Sequence, residues 1–191
     1  ALPSAATAVR FASQGEATAF WTITESGFDA VPPTSAAAQG IEVAREYLDA
    51  AGKPVAQARQ GDELRVRVRF RSTSRRAYWD GVIVDVLPGG VEPILDDLIR
   101  RPQQAEGEEE GEGGAGGGAV GDGAHGWYPE HVELREDRVI AFGPILPTAS
   151  TLEYRVRVTS AGRFVVPPAH AESMYDPMVR AHSAAARLAV E

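Results

Sequence analysis

The sequence predicts an all-β protein built as an antiparallel β-sandwich. The strongest sign is strict alternation of apolar and polar side chains over residues 63–72 and again over 152–159, typical of strands with one buried face. Further short apolar runs are separated by Gly- and Pro-containing breakers, and little of the chain has helical periodicity. Many short strands joined by turns, with little helix, favour a sandwich.

The N-terminal region predicts a β-hairpin followed by a linker. Val9 and Phe11 alternate with polar neighbours, and a second strand-like run covers residues 17–24. Residues 27–39 contain a proline pair and many small side chains, which indicate a loop. We therefore predict three parts: a hairpin within residues 1–30, a linker over 31–39 and one larger domain over 40–191.

The larger domain is expected to begin with two strands. Residues 41–48 restart the β pattern with Ile41, Val43 and Tyr47 on one face; a helix is the alternative, but the turn expected at 49–54 favours a strand. In the strand over 63–72, four apolar side chains oppose four arginines. We interpret the arginines as a solvated face paired across strands with acidic residues, in preference to a phosphate-binding strip.

A denser apolar run over residues 81–87 predicts a strand buried on both faces, and residues 88–90 end it. Asp85 lies inside this run, so a buried carboxylate there needs a partner, for which an arginine is the obvious candidate. A structural salt bridge is favoured over an acid–base pair with Asp96 or Asp97. Residues 93–100 could form a short helix with proline in the first turn.

Residues 105–126 form an acidic, glycine-rich insertion. The segment contains ten glycines and six acidic residues, a composition that predicts a disordered, mobile loop because glycine loses much backbone entropy on ordering and like charges repel. The spaced ligands of a calcium loop are missing. The chain has 27 acidic side chains, and removing these six leaves 21 against 19 basic ones. The rest is nearly neutral, which argues against a nucleic-acid partner.

The C-terminal part is expected to supply five more strands, over 132–134, 138–142, 152–159, 163–166 and 184–190. Between the last two, residues 162–177 begin as a strand that Pro167 and Pro168 stop, and Pro177 closes the segment. Because proline fixes φ and lacks an N–H group, we expect a stiff loop shaped by these three prolines. That loop would present Met174 and Tyr175 as a plug or contact surface.

Catalytic and metal chemistry is not favoured. Ser173, His170, His182 and Asp176 lie close in sequence, but no nucleophile-elbow pattern surrounds the serine, so we do not predict a triad. The four histidines match no usual zinc spacing, and the absence of cysteine excludes disulfides and thiolate ligands. We expect no cofactor, no metal and no enzyme activity. Trp79 is expected to pack at the sandwich edge or to stack on an arginine.

No apolar run approaches the ~20 residues of a membrane-spanning helix. The chain starts at Ala1 without an initiator Met or a signal peptide, so we expect a processed chain or a fragment of something larger.

Five blocks in order resemble the C-terminal macroglobulin-like domain of bacterial alpha-2-macroglobulins. They are GIEVAREY from Gly40, QGD from Gln60, VDVLPGGVE from Val84, LREDR from Leu134 and GRFVVPPAHAESMYDP from Gly162. The resemblance covers residues 40–191, and the last block is the most distinctive. The third block departs from the family pattern at Val91, where the family usually has an aromatic residue. The acidic segment looks like an insertion into the family's sequence.

The resemblance implies a macroglobulin-like sandwich of the immunoglobulin or fibronectin type III kind. It also implies a large periplasmic parent, often lipid-anchored, that acts in host defence by trapping a broad range of endopeptidases. In such proteins a separate domain carries a thioester within a Cys-x-Glu-Gln motif, which a chain without cysteine cannot contain. Residues 1–30 then resemble the last strands of the preceding, thioester-linking domain.

A thioester survives only where water and amines are kept away, and an aromatic ring with a flexible thioether can cover such a site. Our hypothesis is that Met174 and Tyr175 shield the thioester of the neighbouring domain and help to set the native conformation. A different possibility is that both side chains fill the sandwich's own core. A third is a stand-alone adhesion or protein-binding module of the cell envelope, which the absence of an upstream Cys-x-Glu-Gln segment would favour.

Overall fold

The computed structural model describes residues 31–94, 127 and 129–191, together with residues 10, 12, 18, 20 and 22. Contacts divide the chain into two compact units, Ala1–Ala30 and Val31–Glu191. The predicted N-terminal hairpin, most of the predicted helix over 93–100 and the acidic insertion over 105–126 lie outside the described residues. The assignment of residues 1–30 to a preceding domain stays a prediction.

The second unit is all-β, and its described residues contain thirteen strands and no helix. The strands are β1 (Ala37–Gln39), β2 (Ile41–Leu48), β3 (Gln57–Ala58), β4 (Glu63–Ser72), β5 (Gly81–Val86), β6 (Val91–Pro93), β7 (His131–Arg135), β8 (Arg138–Phe142), β9 (Ser150–Val158), β10 (Gly162–Val166), β11 (Ala169–Ser173), β12 (Asp176–His182) and β13 (Ala186–Val190). These bounds confirm most of the predicted strands to within two residues.

Three sheets form from these strands. A four-stranded sheet has the order β2-β4-β9-β6, a six-stranded sheet has the order β1-β12-β11-β5-β8-β7, and a three-stranded sheet has the order β10-β13-β3. Pairing in the described residues is antiparallel, except that β13 and β3 run parallel. The predicted antiparallel β-sandwich is confirmed.

The core lies between the four-stranded and six-stranded sheets. The inward residues of β4 alternate with its arginines and are almost fully buried. In β9, too, buried inward residues alternate with more exposed outward ones. This is the period-two pattern expected for strands with one face in the core. Outside, Arg67, Arg69 and Arg71 bind Glu153, Glu46 and Glu42, with N–O distances of 2.5, 2.9 and 2.6 Å. The predicted cross-strand pairing of the arginine face is confirmed.

Strand β5 is less enclosed than the sequence predicted. Ile83 and Asp85 are fully buried on its inner face, whereas on the outer face Val82 is buried and Val84 and Val86 are half-buried. The outer face of β5 is therefore covered only in part.

Two loop predictions were wrong. Residues 37–39 of the expected linker form strand β1, which pairs with residues 180–182 of β12 at the edge of the six-stranded sheet. The expected stiff loop over 162–177 holds a strand in its middle, since β11 lies between β5 and β12. Pro167 and Pro168 only separate β10 from β11. The small inward side chains of Ala169, Ala171 and Ser173 allow close packing of β11, although none is a strong β-former.

Candidate functional site

Met174 and Tyr175 form the two-residue tip of the β11–β12 hairpin. The strands pair up to Ser173 and Asp176, with a shift of register between Glu172 and Ser173. At the tip, the side chain of Tyr175 is 82% exposed and that of Met174 is 45% exposed. The structure therefore places both predicted residues on a short turn at one end of the six-stranded sheet.

The three prolines occupy positions where no N–H group is needed. Pro167 and Pro168 fill the connection between β10 and β11. Pro177 is the second residue of β12, beyond the segment that pairs with β1, and no described strand pairs with that side of it. Proline is tolerated at such edge positions because no ladder hydrogen bond is lost.

Further apolar side chains are exposed at the same end of the sheet. Met178 follows the tip on β12 and is 64% exposed, and Trp79 lies just before β5, the neighbour of β11. The expectation that Trp79 packs at the edge or stacks on an arginine was wrong, since its side chain is 71% exposed. Arg76 instead lies over the ring of Tyr78, 5.8 Å from its centroid.

A buried ion pair lies between the sheets and reaches the diproline connection. The guanidinium of Arg45 on β2 donates to the carboxylate of Asp85 on β5 and to the carbonyl oxygen of Pro167. Tyr154 on β9 donates its hydroxyl to the other carboxylate oxygen at 2.6 Å. The predicted structural salt bridge of Asp85 is confirmed, and its partner is Arg45.

The electrostatics of this cluster follow from its burial. Desolvation raises the pKa of Asp85, and the charge of Arg45 and the hydroxyl of Tyr154 oppose that rise. Burial alone would lower the pKa of Arg45, but the neighbouring carboxylate holds it above the ordinary value. Burial also raises the pKa of Tyr47, whose hydroxyl is buried without a hydrogen-bond partner among the described atoms. The cluster fixes the sandwich interior and is too enclosed to meet a ligand.

The sequence analysis predicts an arginine partner for Asp85 but does not identify Arg45. The signal was present, since Arg45 is in phase with Ile41, Val43 and Tyr47 at a spacing of two residues. Asp80 was also missed. Nothing in the sequence near Asp80 indicates that it contacts residues 173–175, because these contacts arise only when β5 and β11 pair.

The four residues considered for a triad do not form one. Ser173 is buried and donates its hydroxyl to Asp80 at 2.7 Å, whereas His170 lies on the outer face of β11. His170 on β11 lies opposite His182 on the adjacent strand β12, with ring centroids 6.1 Å apart. Among the described residues, no group of three His, Cys, Asp or Glu side chains could hold a metal ion. No helix in the described part is long and apolar enough to cross a membrane.

The fold and site define a β-sandwich domain whose distinctive feature is an exposed apolar hairpin tip. A family model described as the bacterial alpha-2-macroglobulin MG10 domain matches residues 40–177. The chain therefore belongs to the bacterial alpha-2-macroglobulin MG10 domain family, and the resemblance noted in the sequence is confirmed.

Relatives and solved structures agree with this assignment. An alpha-2-macroglobulin homolog from Yersinia pestis is 34% identical over 181 residues, which is 93% of this chain and 9% of the relative. The native conformation of Escherichia coli alpha-2-macroglobulin has a TM-score of 0.66 at 28% identity, over 86% of this chain and 10% of that one. Escherichia coli alpha-2-macroglobulin activated by porcine elastase has a TM-score of 0.60 at 25% identity, over 82% of this chain and 14% of that one. The chain thus spans only about a tenth of the curated relatives.

Proposed function

We propose that this domain is part of a larger bacterial alpha-2-macroglobulin that inhibits endopeptidases by trapping them. Within that parent, the hairpin tip of this domain covers the thioester of a separate domain and stabilises the native conformation. The parent would act in the periplasm, with or without a lipid anchor. Membership of the MG10 family and the solved relative activated by porcine elastase support the inhibitor role.

The observation that carries the shielding role is the exposure of Tyr175 and Met174 at the hairpin tip. Tyr175 is 82% exposed beside half-exposed Met174, and Met178 is exposed at the same end of the sheet. Exposed apolar side chains grouped in this way mark interaction surfaces more often than single ones do. The alternative, that both side chains fill the sandwich core, disagrees with these values. An aromatic ring and a thioether can together seal an irregular reactive site from water.

Excluding solvent would protect the thioester because nucleophiles attack its acyl carbon. When methylamine attacks, a carbon–nitrogen bond forms, the carbon–sulfur bond breaks and the sulfur leaves as a thiolate. The appearance of free thiol therefore measures how well the site is covered.

The test is Tyr175→Gly in the full-length protein, treated with methylamine and followed by thiol release. We expect release to become several-fold faster, because the substitution removes the ring. Tyr175→Phe is the matched control and should release thiol at the rate of the unsubstituted protein, since it keeps the ring and loses only the hydroxyl. An unchanged rate in Tyr175→Gly would refute the shielding role.

The stand-alone binding module is the second candidate considered from the sequence. The same exposed tip could serve it, but the family match supports a domain of a larger inhibitor. A thiol-release signal from the full-length protein decides between them, because a stand-alone module would have no thioester to open.

A further inference from the structure

Asp80 contacts three consecutive residues of the hairpin tip. It lies in the connection between β4 and β5, one residue before β5 begins. Its Oδ2 atom accepts hydrogen bonds from the hydroxyl of Ser173 at 2.7 Å and from the N–H of Tyr175 at 3.2 Å. Its main-chain carbonyl oxygen accepts the N–H of Met174 at 3.0 Å. One residue just before a neighbouring strand therefore binds both residues of the tip and the residue before them.

The tip needs such outside support because of its own sequence. Two-residue hairpin turns usually place one or both central residues at positive φ, which Gly and Asn adopt most easily. Met174 and Tyr175 are neither, and no non-glycine residue of the described chain has positive φ. The register also shifts just before the tip, between Glu172 and Ser173. The tip therefore lacks the usual hairpin turn, and Asp80 accepts the N–H groups of both tip residues.

We propose that Asp80 is a positioning residue of the shielding surface, holding Met174 and Tyr175 in the conformation in which their side chains face outward. This inference rests on the proposed function. Asp80 holds the backbone of the tip by hydrogen bonds to its N–H groups, which leaves both side chains free to meet a neighbouring domain. Without the anchor, the two exposed side chains have little of their own domain to hold them.

The charge state of Asp80 agrees with this role. The hydrogen bond from the Ser173 hydroxyl holds the pKa of the Asp80 carboxyl below its usual range, and the Tyr175 N–H acts in the same direction. Asp80 is therefore a charged acceptor near neutral pH, and hydrogen bonds to charged acceptors are stronger than those to neutral ones.

The experiment uses the full-length protein with Asp80→Ala, Asp80→Asn and a matched control, Asp49→Ala. Asp49 directly follows β2 and makes the same kind of turn contacts. Its carboxylate accepts the N–H of Lys53 and its main-chain carbonyl oxygen accepts the N–H of Gly52, both at 2.9 Å. Each variant is measured by amide hydrogen exchange at the tip, by thiol release with methylamine and by thermal unfolding.

We expect Asp80→Ala to speed exchange at Tyr175, whose N–H loses its side-chain acceptor, and to raise the thiol-release rate several-fold. The N–H of Met174 keeps its main-chain acceptor in both Asp80 variants. Asp80→Asn keeps an oxygen acceptor, so its exchange and thiol-release rates should fall between those of Asp80→Ala and those of the unsubstituted protein. Asp49→Ala should leave both tip exchange and thiol release unchanged, even if it lowers the melting temperature as much as Asp80→Ala does. A purely structural role of Asp80 would give the two alanine variants the same release rate.

The outcomes separate the two proposals. If Tyr175→Gly speeds thiol release but Asp80→Ala does not, the positioning role of Asp80 is wrong and the shielding role stands. If tip exchange is unchanged in Asp80→Ala, the positioning role is also wrong. If exchange rises but neither Asp80→Ala nor Tyr175→Gly speeds release, Asp80 holds the tip and the shielding role itself is wrong, so Asp80 does not position a shield.

Discussion

Arg45 carries a full charge between the two sheets, with its side chain 2% exposed and that of Asp85 fully buried. A buried ion pair contributes little net stability, because desolvation offsets much of the attraction. Removing one partner is different, since the other charge then stays buried without compensation. The hydrogen bonds from Tyr154 to Asp85 and from Arg45 to Pro167 complete the pair and make it sensitive to any single loss.

We predict that Asp85→Ala lowers the free energy of unfolding by about 3–5 kcal/mol, because it leaves the guanidinium of Arg45 unpaired. Urea denaturation measures this change. Arg67→Ala is the control, since it breaks the exposed pair with Glu153 on the outer face of the same sandwich. That loss should be at most about 1 kcal/mol. Equal losses in the two variants would contradict the account.

His170 predicts a pH dependence of stability. His170 lies on the outer face of β11, and partial desolvation of its ring is the first cause that holds its pKa below the ordinary 6.5. The nearby His182 and Arg45 act in the same direction, while Glu172 and Asp85 oppose the shift. The unfolded chain then binds the proton more tightly than the folded one. Stability contributed by His170 is present above pH 6.5 and is lost as pH falls through the window down to its folded-state pKa.

Urea denaturation at several pH values checks this expectation. His170→Gln should remove the part of the loss that occurs just below pH 6.5. His131→Gln, on the exposed strand β7, is the control and should keep it. The same loss in the unsubstituted chain and in His170→Gln would contradict the prediction.

At this scale the sequence predicted only part of the site. Asp85 stood out because a carboxylate in an apolar run requires a partner, and Met174 and Tyr175 stood out because prolines flank them. Asp80 did not, because its contacts with the hairpin tip join residues more than ninety positions apart. No local pattern records such a contact.

At the scale of elements, alternation decided what could be predicted. Strand β4 was predicted with the bounds it has, because four apolar side chains alternate with four arginines. The prolines around β11 predict a loop there. The alternation of alanine and serine with histidine and glutamate in β11 has too little hydrophobic contrast to indicate a strand. Its neighbours β5 and β12 supply the pairing that its own side chains do not specify.

The turn between β5 and β6 gives an element-scale prediction. Gly90 has φ of +83°, and a Cβ atom there would lie 2.5 Å from the ring of Phe164 and 3.0 Å from the carbonyl oxygen of Ser160. Gly52 has a similar φ of +77° but open space around it. Both substitutions by alanine incur the backbone cost of positive φ, about 1–2 kcal/mol. Only Gly90→Ala also displaces Phe164.

We therefore expect Gly90→Ala to lower the melting temperature more than Gly52→Ala. Because Phe164 packs against the core, its ring cannot move without loss of packing. In the background of Phe164→Leu the difference between the two glycine variants should shrink. Equal melting temperatures for the two single variants would show that the ring moves aside freely.

At the scale of the whole molecule, the chain spans about a tenth of its relatives' length. It has no cysteine, so any thioester must be supplied by another part of the parent. We predict that the chain alone leaves an endopeptidase fully active on a large protein substrate, whereas the full-length protein reduces that activity. Inhibition by the chain alone would contradict the division of labour proposed for it.

The bond between Arg45 and Pro167 has a mechanical consequence. It ties β2 of one sheet to the residues that lead into β11 of the other, and β11 carries the hairpin tip. Sliding one sheet over the other would separate the guanidinium of Arg45 from its partners in the sandwich interior. We therefore expect the two sheets to move together and not to slide past each other. A force on the hairpin tip would then be transmitted to both sheets, and the sandwich would move as one body.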